Sequence, residues 1–156
     1  GDTKLVIGGA PHSANRGVFP PLDPLIAELD IGDRVVLTGR ISEDDKVALM
    51  QGAAVYVTPS LYEGFGLSVL EAMACGIPVI AANRTSFPEI VADNGLLVEP
   101  RVEPVAAALQ SILTDDALAH RLGSAGLERS RAFDWRRTAE QTVAVYEHVR
   151  SNEGQR

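Results

Sequence analysis

Apolar residues in this chain fall into two alternating patterns. Short runs rich in β-branched residues read as strands: Leu5 to Gly8, Arg34-Val-Val-Leu-Thr38, Ala54-Val-Tyr-Val-Thr58, Val79 to Ala82 and Gly95-Leu-Leu-Val98. Helical segments are read between them over 25–29, from Ser42 to about Gly52 and over 66–75, and after them the apolar positions recur at three and four, which predicts helices over 103–114, 116–132 and 135–149. Ser42 before Glu43-Asp44-Asp45 reads as an N-cap with an acidic first turn, and Asp134 reads as the N-cap of the last helix. Strands alternating with helices of this length predict an α/β fold with a doubly wound parallel sheet. One domain with a single core is expected over 1–150, followed by a frayed polar tail over 151–156. The chain begins almost directly with a buried-looking strand, which predicts a sheet truncated at its N-terminal edge.

Composition narrows the function. With 21 acidic against 14 basic residues the formal charge is -7, opposite to the footprint of a phosphate-backbone binder, and nucleic acid is not an expected partner. The single cysteine, Cys75, has no partner for an internal disulfide, so the cytoplasm is the default compartment. No apolar run reaches the ~20 residues of a membrane span, and a membrane is met only at its surface.

The chemistry concentrates in Thr58-Pro-Ser-Leu-Tyr-Glu-Gly-Phe-Gly-Leu-Ser-Val-Leu-Glu-Ala-Met-Ala-Cys-Gly-Ile-Pro78, a strand end, a glycine-bearing loop and a helix. Ligands of open α/β sheets sit beyond the carboxyl ends of the strands, where this loop lies. Gly64 and Gly66 let the backbone turn tightly beside Phe65. The amides of Gly66, Leu67, Ser68 and Val69 are then expected as the unpaired donors of the first helical turn, a cradle for a phosphate or diphosphate. Helical spacing puts Ser68, Glu71 and Cys75 on one stripe and Leu67, Leu70 and Ala74 on another, which is expected to face the sheet. Glu71 falls about 7 to 8 Å along the axis from Gly66. Glu63 on the loop and Glu71 on the helix flank the cradle, where carboxylates accept hydrogen bonds from neutral hydroxyls. A nucleoside diphosphate sugar, charged in the middle and hydroxylated at both ends, has that layout.

The segment EGFGLSVLE followed by AMACGIPVIA resembles the E-x7-E motif of glycosyltransferase family 4, retaining enzymes of the two-domain GT-B fold. The likeness extends through VVLTGRISEDD, AAVYVTPSLYEGFG, FPEIVADNGLLVEP and FDWRRTAEQTVAVYEHV, and covers the chain from Leu5 to Val149. It implies the Rossmann-like C-terminal, donor-binding half of such an enzyme, moving a hexose from a nucleoside diphosphate sugar to a hydroxyl acceptor. It also implies roles. Glu63, the candidate catalytic residue, would meet the donor hexose and Glu71 the ribose; Gly64, Phe65, Gly66, Leu67 and Ser68 would hold sugar and diphosphate; Arg40 and Ile41 would flank the base. The stretch Asn83 to Ile90 is similar to versions in mannosyl-transferring members, which points to GDP-mannose. No metal or other cofactor is implied, in keeping with GT-B enzymes and with the lack of an Asp-x-Asp motif. The family's basic pair for the diphosphate, and the N-terminal acceptor-binding domain that would be its partner, are expected to precede Gly1. Weak donor affinity and no transfer by this piece alone follow, with membrane contact at the inner face through the missing domain. A non-catalytic nucleotide-sugar-binding module and a sugar-nucleotide epimerase of the same fold stay open as alternatives.

Other chemistry-bearing residues have plainer readings. Cys75 reads as a small packed residue at a helix end, and His120 and His148 as surface residues. His12 and Arg16 read as exposed loop residues that the ligand could reach, and Asp93-Asn94-Gly95 as a turn. Glu89, just after the fourth strand, stands evenly between a donor contact and a solvated acid.

Overall fold

A computed structural model of the chain describes residues 3–9 and 20–153, and it divides into two compact units, Gly1–Leu49 and Met50–Arg156. This differs from the single core expected over 1–150: among the described residues every buried apolar side chain lies from Met50 onward.

In the first unit, β1 (Leu5–Gly8) and β2 (Val35–Gly39) pair in parallel, Leu5 opposite Val35 and Ile7 opposite Leu37. Contrary to the sequence expectation β1 is not buried: Leu5 and Val6 are 53% and 44% exposed. The strand belongs to a two-stranded sheet, bonded on one side only, so its apolar side chains have little to pack against. Helix α1 (Asp23–Glu28) starts two residues earlier than expected, with Pro24 at its first turn, where a missing N–H costs nothing. Helix α2 (Glu43–Gln51) starts as predicted. Ser42 Oγ accepts from the Asp45 amide at 3.1 Å and donates to the Asp45 carboxylate at 2.7 Å.

The second unit carries β3 (Tyr56–Thr58), α3 (Leu67–Ala74), β4 (Val79–Ala82), α4 (Phe87–Val91), β5 (Leu96–Val98), α5 (Val102–Thr114), α6 (Asp116–Ser130) and α7 (Trp135–Glu153). Its parallel sheet has the order β3-β4-β5, with Val57 opposite Ile80 and Ile80 opposite Leu96. Strand β4 is central and buried on both faces, which explains its unbroken apolar sequence Val-Ile-Ala-Ala. Val79, Ala81 and Ala82 pack with Val69, Ala72 and Met73 of α3 and with Phe87, Ile90 and Val91 of α4. Ile80 packs on the other face with Ala108, Ile112 and Leu122 of α5 and α6. Helices therefore cover both faces, the doubly wound arrangement. Each fully buried Phe, Ile or Val here contributes about 1.5–3 kcal/mol.

Helix α6 approaches the end of α3 closely: a Cβ on Gly123 would lie 2.3 Å from the Gly76 carbonyl oxygen. Its N-cap is Asp115, whose carboxylate accepts from the Leu118 amide at 2.9 Å. Helix α7 runs to Glu153, past the tail start expected at Ser151, and all its described side chains are exposed, including Trp135, Val143, Tyr146 and Val149. Among the described residues no helix is long and apolar enough to cross a membrane.

Candidate functional site

Strand β3 ends at buried Thr58, and the chain loops over 59–66 into α3. The entry point is Gly66, at φ 101° and ψ 46°. A side chain there would be strained by the backbone, and its Cβ would lie 2.8 Å from Phe87 Cε1. Glycine is thus required twice over.

The first bonds of α3 run from the Val69 and Leu70 amides to the Gly66 carbonyl, at 3.1 and 3.2 Å, and no side chain caps the helix. The expected cradle loses one member, since the Val69 amide serves the helix. The amides of Gly66, Leu67 and Ser68 remain as the donors that a helix start leaves without an intrahelical acceptor. Half-buried Glu63 and Glu71 stand on either side of this start, one on the loop and one on the helix.

The helix is rotated relative to the sequence expectation. Val69, Ala72 and Met73 are the residues that enter the core, while Leu67 is 51% exposed and Ala74 is exposed. Leu67, Leu70 and Ala74 instead line an open groove of about 320 Å³ together with Glu71, Ser130, Phe133 and Trp135. In so apolar a helix both stripes satisfy the same periodicity. Close packing of Gly66 on Phe87 and of Met73 near Gly126 fixes the choice.

The loop is anchored by residues that local sequence reading does not single out. The Glu63 amide donates to Thr85 Oγ1 at 3.3 Å, and Ser86 Oγ donates to the Glu63 carbonyl at 3.4 Å. Thr85 has φ 48°, a left-handed conformation that costs a β-branched residue about 1–2 kcal/mol. The Phe65 ring meets Phe133 edge to face, with centroids 6.2 Å apart. Arg129 lies over Phe133 at 4.9 Å and donates to the Glu89 and Ile90 carbonyls at 2.7 and 3.1 Å. Those carbonyls end the short helix α4, where a cation complements the helix dipole.

Gly64, Phe65, Gly66, Leu67, Ser68, Glu63 and Glu71 thus come together at one helix start in the second unit. Arg40 and Ile41 belong to the first, directly after β2, Arg40 exposed and Ile41 half-buried beside Gly8. His12 and Arg16 lie outside the described residues. Cys75 caps α3 and packs against the core, as expected of a small packed residue. His120 and His148 are exposed, and Asn94 forms its turn by donating from backbone and side chain to the Val91 carbonyl. The Glu89 side chain is exposed. Among the described residues no group of three or more His, Cys, Asp or Glu is placed to hold a metal ion.

Residues 1–129 match the family described as Glycosyl transferases group 1. The chain belongs to this family. Its relatives include the MMP alpha-(1->4)-mannosyltransferase of Mycolicibacterium hassiacum, 40% identical over 132 residues, which are 81% of this chain and 32% of that protein. Among solved structures, sucrose-phosphate synthase from Thermosynechococcus elongatus is 38% identical with a TM-score of 0.80, over 95% of this chain and 38% of that one. Anabaena HepE in complex with UDP and glucose superposes with a TM-score of 0.83 at 24% identity, over 93% of this chain and 40% of that one, a likeness of fold alone. The fold is thus the Rossmann-like α/β domain of GT-B glycosyltransferases, and this group 1 domain spans about a third of the length of the curated relatives it matches.

Proposed function

We propose that this group 1 domain binds the donor of a retaining glycosyltransferase, a nucleoside diphosphate hexose, and that the whole protein passes the hexose to a hydroxyl acceptor. The observation that carries the reading is the uncapped start of α3, entered through Gly66 and flanked by Glu63 and Glu71. Peptide donors at a helix start favour an anion without any lysine or arginine, so the diphosphate is assigned to Gly66, Leu67 and Ser68. Glu63 accepts hydrogen bonds from hexose hydroxyls and Glu71 from ribose hydroxyls. Gly64 and Phe65 shape the turn between them.

As the carbon–oxygen bond to the hexose breaks, negative charge gathers on the departing diphosphate. Fixed amides stabilise that charge without reorganising, which is among the strongest effects an enzyme can bring to bear on a barrier. No divalent ion is required. The remaining positive charge is assigned to a basic pair of the donor-binding half on polypeptide outside this chain, and the pocket that orients the acceptor to a separate acceptor-binding domain, also outside it. The 156-residue chain alone therefore binds donor weakly and transfers nothing.

GDP-mannose is the proposed donor, supported by the mannosyltransferase named among the relatives and by the sequence of 83–90. The nucleotide part of the reading draws support from HepE, a fold neighbour solved with UDP and glucose. A cytoplasmic setting fits the lone thiol, with the inner membrane face met through the rest of the polypeptide.

Titration of the chain with UDP-, GDP- and ADP-hexoses, and with the matching diphosphates lacking the sugar, tests the assignment. Loss of a carboxylate acceptor costs about 1.5–3 kcal/mol, or roughly 10- to 150-fold in affinity. Glu63→Ala should weaken only hexose-bearing ligands, and Glu71→Ala both kinds. Equal affinity of both variants and the unaltered chain for the best ligand would refute the roles.

A further inference from the structure

We infer that Thr85 and Ser86 are positioning residues that aim the Glu63 carboxylate at the hexose of the donor. The inference rests on the proposed role of Glu63 and adds the device that orients it.

Two consecutive hydroxyls take hold of one residue from both sides. Thr85 Oγ1 accepts from the Glu63 amide, and Ser86 Oγ donates to the Glu63 carbonyl. Both backbone polar groups of Glu63 are occupied, so the peptide planes before and after its Cα cannot swing independently. The direction of the Cα–Cβ bond, and with it the reach of the carboxylate, is set by the turn at 85–86.

That turn is itself held firmly. It sits between β4 and α4, and Phe87, the next residue, is fully buried against the Gly66 end of the same loop. Thr85 adopts φ 48°, a conformation that glycine or asparagine would enter more readily. The Thr85 side chain is exposed and the Ser86 side chain is half-buried, so neither fills the core. At 3.3 and 3.4 Å the two contacts lie at the long end of hydrogen bonding. Contacts of that length add little to folding, and orientation is the contribution left to them.

Arg129 and Phe133 act on the other flank of the loop. Their stack against Phe65 fixes the residue two places after Glu63, and Arg129 ties that stack to the carbonyl end of α4. Glu63 is therefore braced before and after the turn by the same short helix and its approach.

The test uses ligand-observed NMR on the 156-residue chain with GDP-mannose and UDP-glucose against GDP and UDP. The variants are Thr85→Val with Ser86→Ala, Thr85→Ser as the conservative control, Glu63→Gln, and the combination of all three losses. Removing both hydroxyls should weaken the sugar nucleotides about fivefold, the low end of the range for two neutral hydrogen bonds, and change GDP and UDP less than about twofold. Thr85→Ser should retain wild-type affinity. In the Glu63→Gln background the hydroxyl losses should have no further effect. A merely structural role would instead lower the urea midpoint and weaken both ligand classes alike, which overturns the inference. If Glu63→Gln weakens the sugar nucleotides and the hydroxyl variant does not, the positioning role alone fails. If Glu63→Gln leaves the sugar nucleotides unchanged, the proposed function fails and this inference with it.

Discussion

Replacing Gly66 with alanine tests how the site is built into the fold. Two costs act together. The backbone at φ 101° is outside the range an L residue adopts readily, for which about 1–2 kcal/mol is a floor. The new Cβ would meet Phe87 at 2.8 and 3.1 Å and Ile90 at 3.4 Å, and those side chains are 0% and 2% exposed, with no free space to retreat into. Overpacking of that kind costs about 1–3 kcal/mol. The sum, roughly 2–5 kcal/mol, is a large part of the 5–15 kcal/mol that typically holds a domain folded. Urea unfolding followed by far-UV circular dichroism reads it as a lower midpoint at unchanged slope. Adding Phe87→Leu should return part of the loss, since it relieves the clash and leaves the backbone strain. A Gly66→Ala protein within about 0.5 kcal/mol of wild type would refute both the left-handed entry and the packing of α4 against it.

Gly123→Ala should destabilise by about 1–3 kcal/mol or more, because its Cβ would fall 2.3 Å from the Gly76 carbonyl oxygen and α6 would have to move away; thermal melts would show it. Asp115→Ala removes the acceptor of the Leu118 amide and should cost about 0.5–2 kcal/mol in urea, with Asp115→Asn close to wild type. Tyr146→Ser, on exposed α7, should leave the stability of the chain within about 0.5 kcal/mol of wild type.

Much of the order of elements was legible because each signal was local. Strand β4 lies where Val79 to Ala82 predicted it, an apolar run bounded by Pro78 and Asn83. Ser42 and Asp134 both accept from amides of the helices they were expected to start. Helix α4 is not among the predicted helices because five residues give too short a window for periodicity, and its helix-starting cue, Pro88 within the first turn, also fits a loop. The face of α3 was not legible for the opposite reason: with Leu67, Val69, Leu70, Ala72, Met73 and Ala74 all apolar, two stripes fit equally well.

What sequence spacing cannot reach is the support of the motif loop. Glu63 and Gly66 stand out because glycines and acids at that spacing have a chemical meaning of their own. Thr85 and Ser86 touch Glu63 from 22 and 23 positions away, and Arg129 reaches α4 across 39 and 40. Taken alone, two hydroxyls after a strand are turn residues, and an arginine near a helix end is a solvated charge. Their meaning arises only when β4 lies beside β3 in parallel, which brings the segments following both strands out at the same edge of the sheet. Parallel pairing is therefore what brings the two loops together: the loop after β3 carries Glu63 and Gly66, and the segment after β4 carries the hydroxyls bonded to the Glu63 backbone. A swap of the motif loop from a relative should accordingly carry its binding behaviour only when the segment after β4 is exchanged with it.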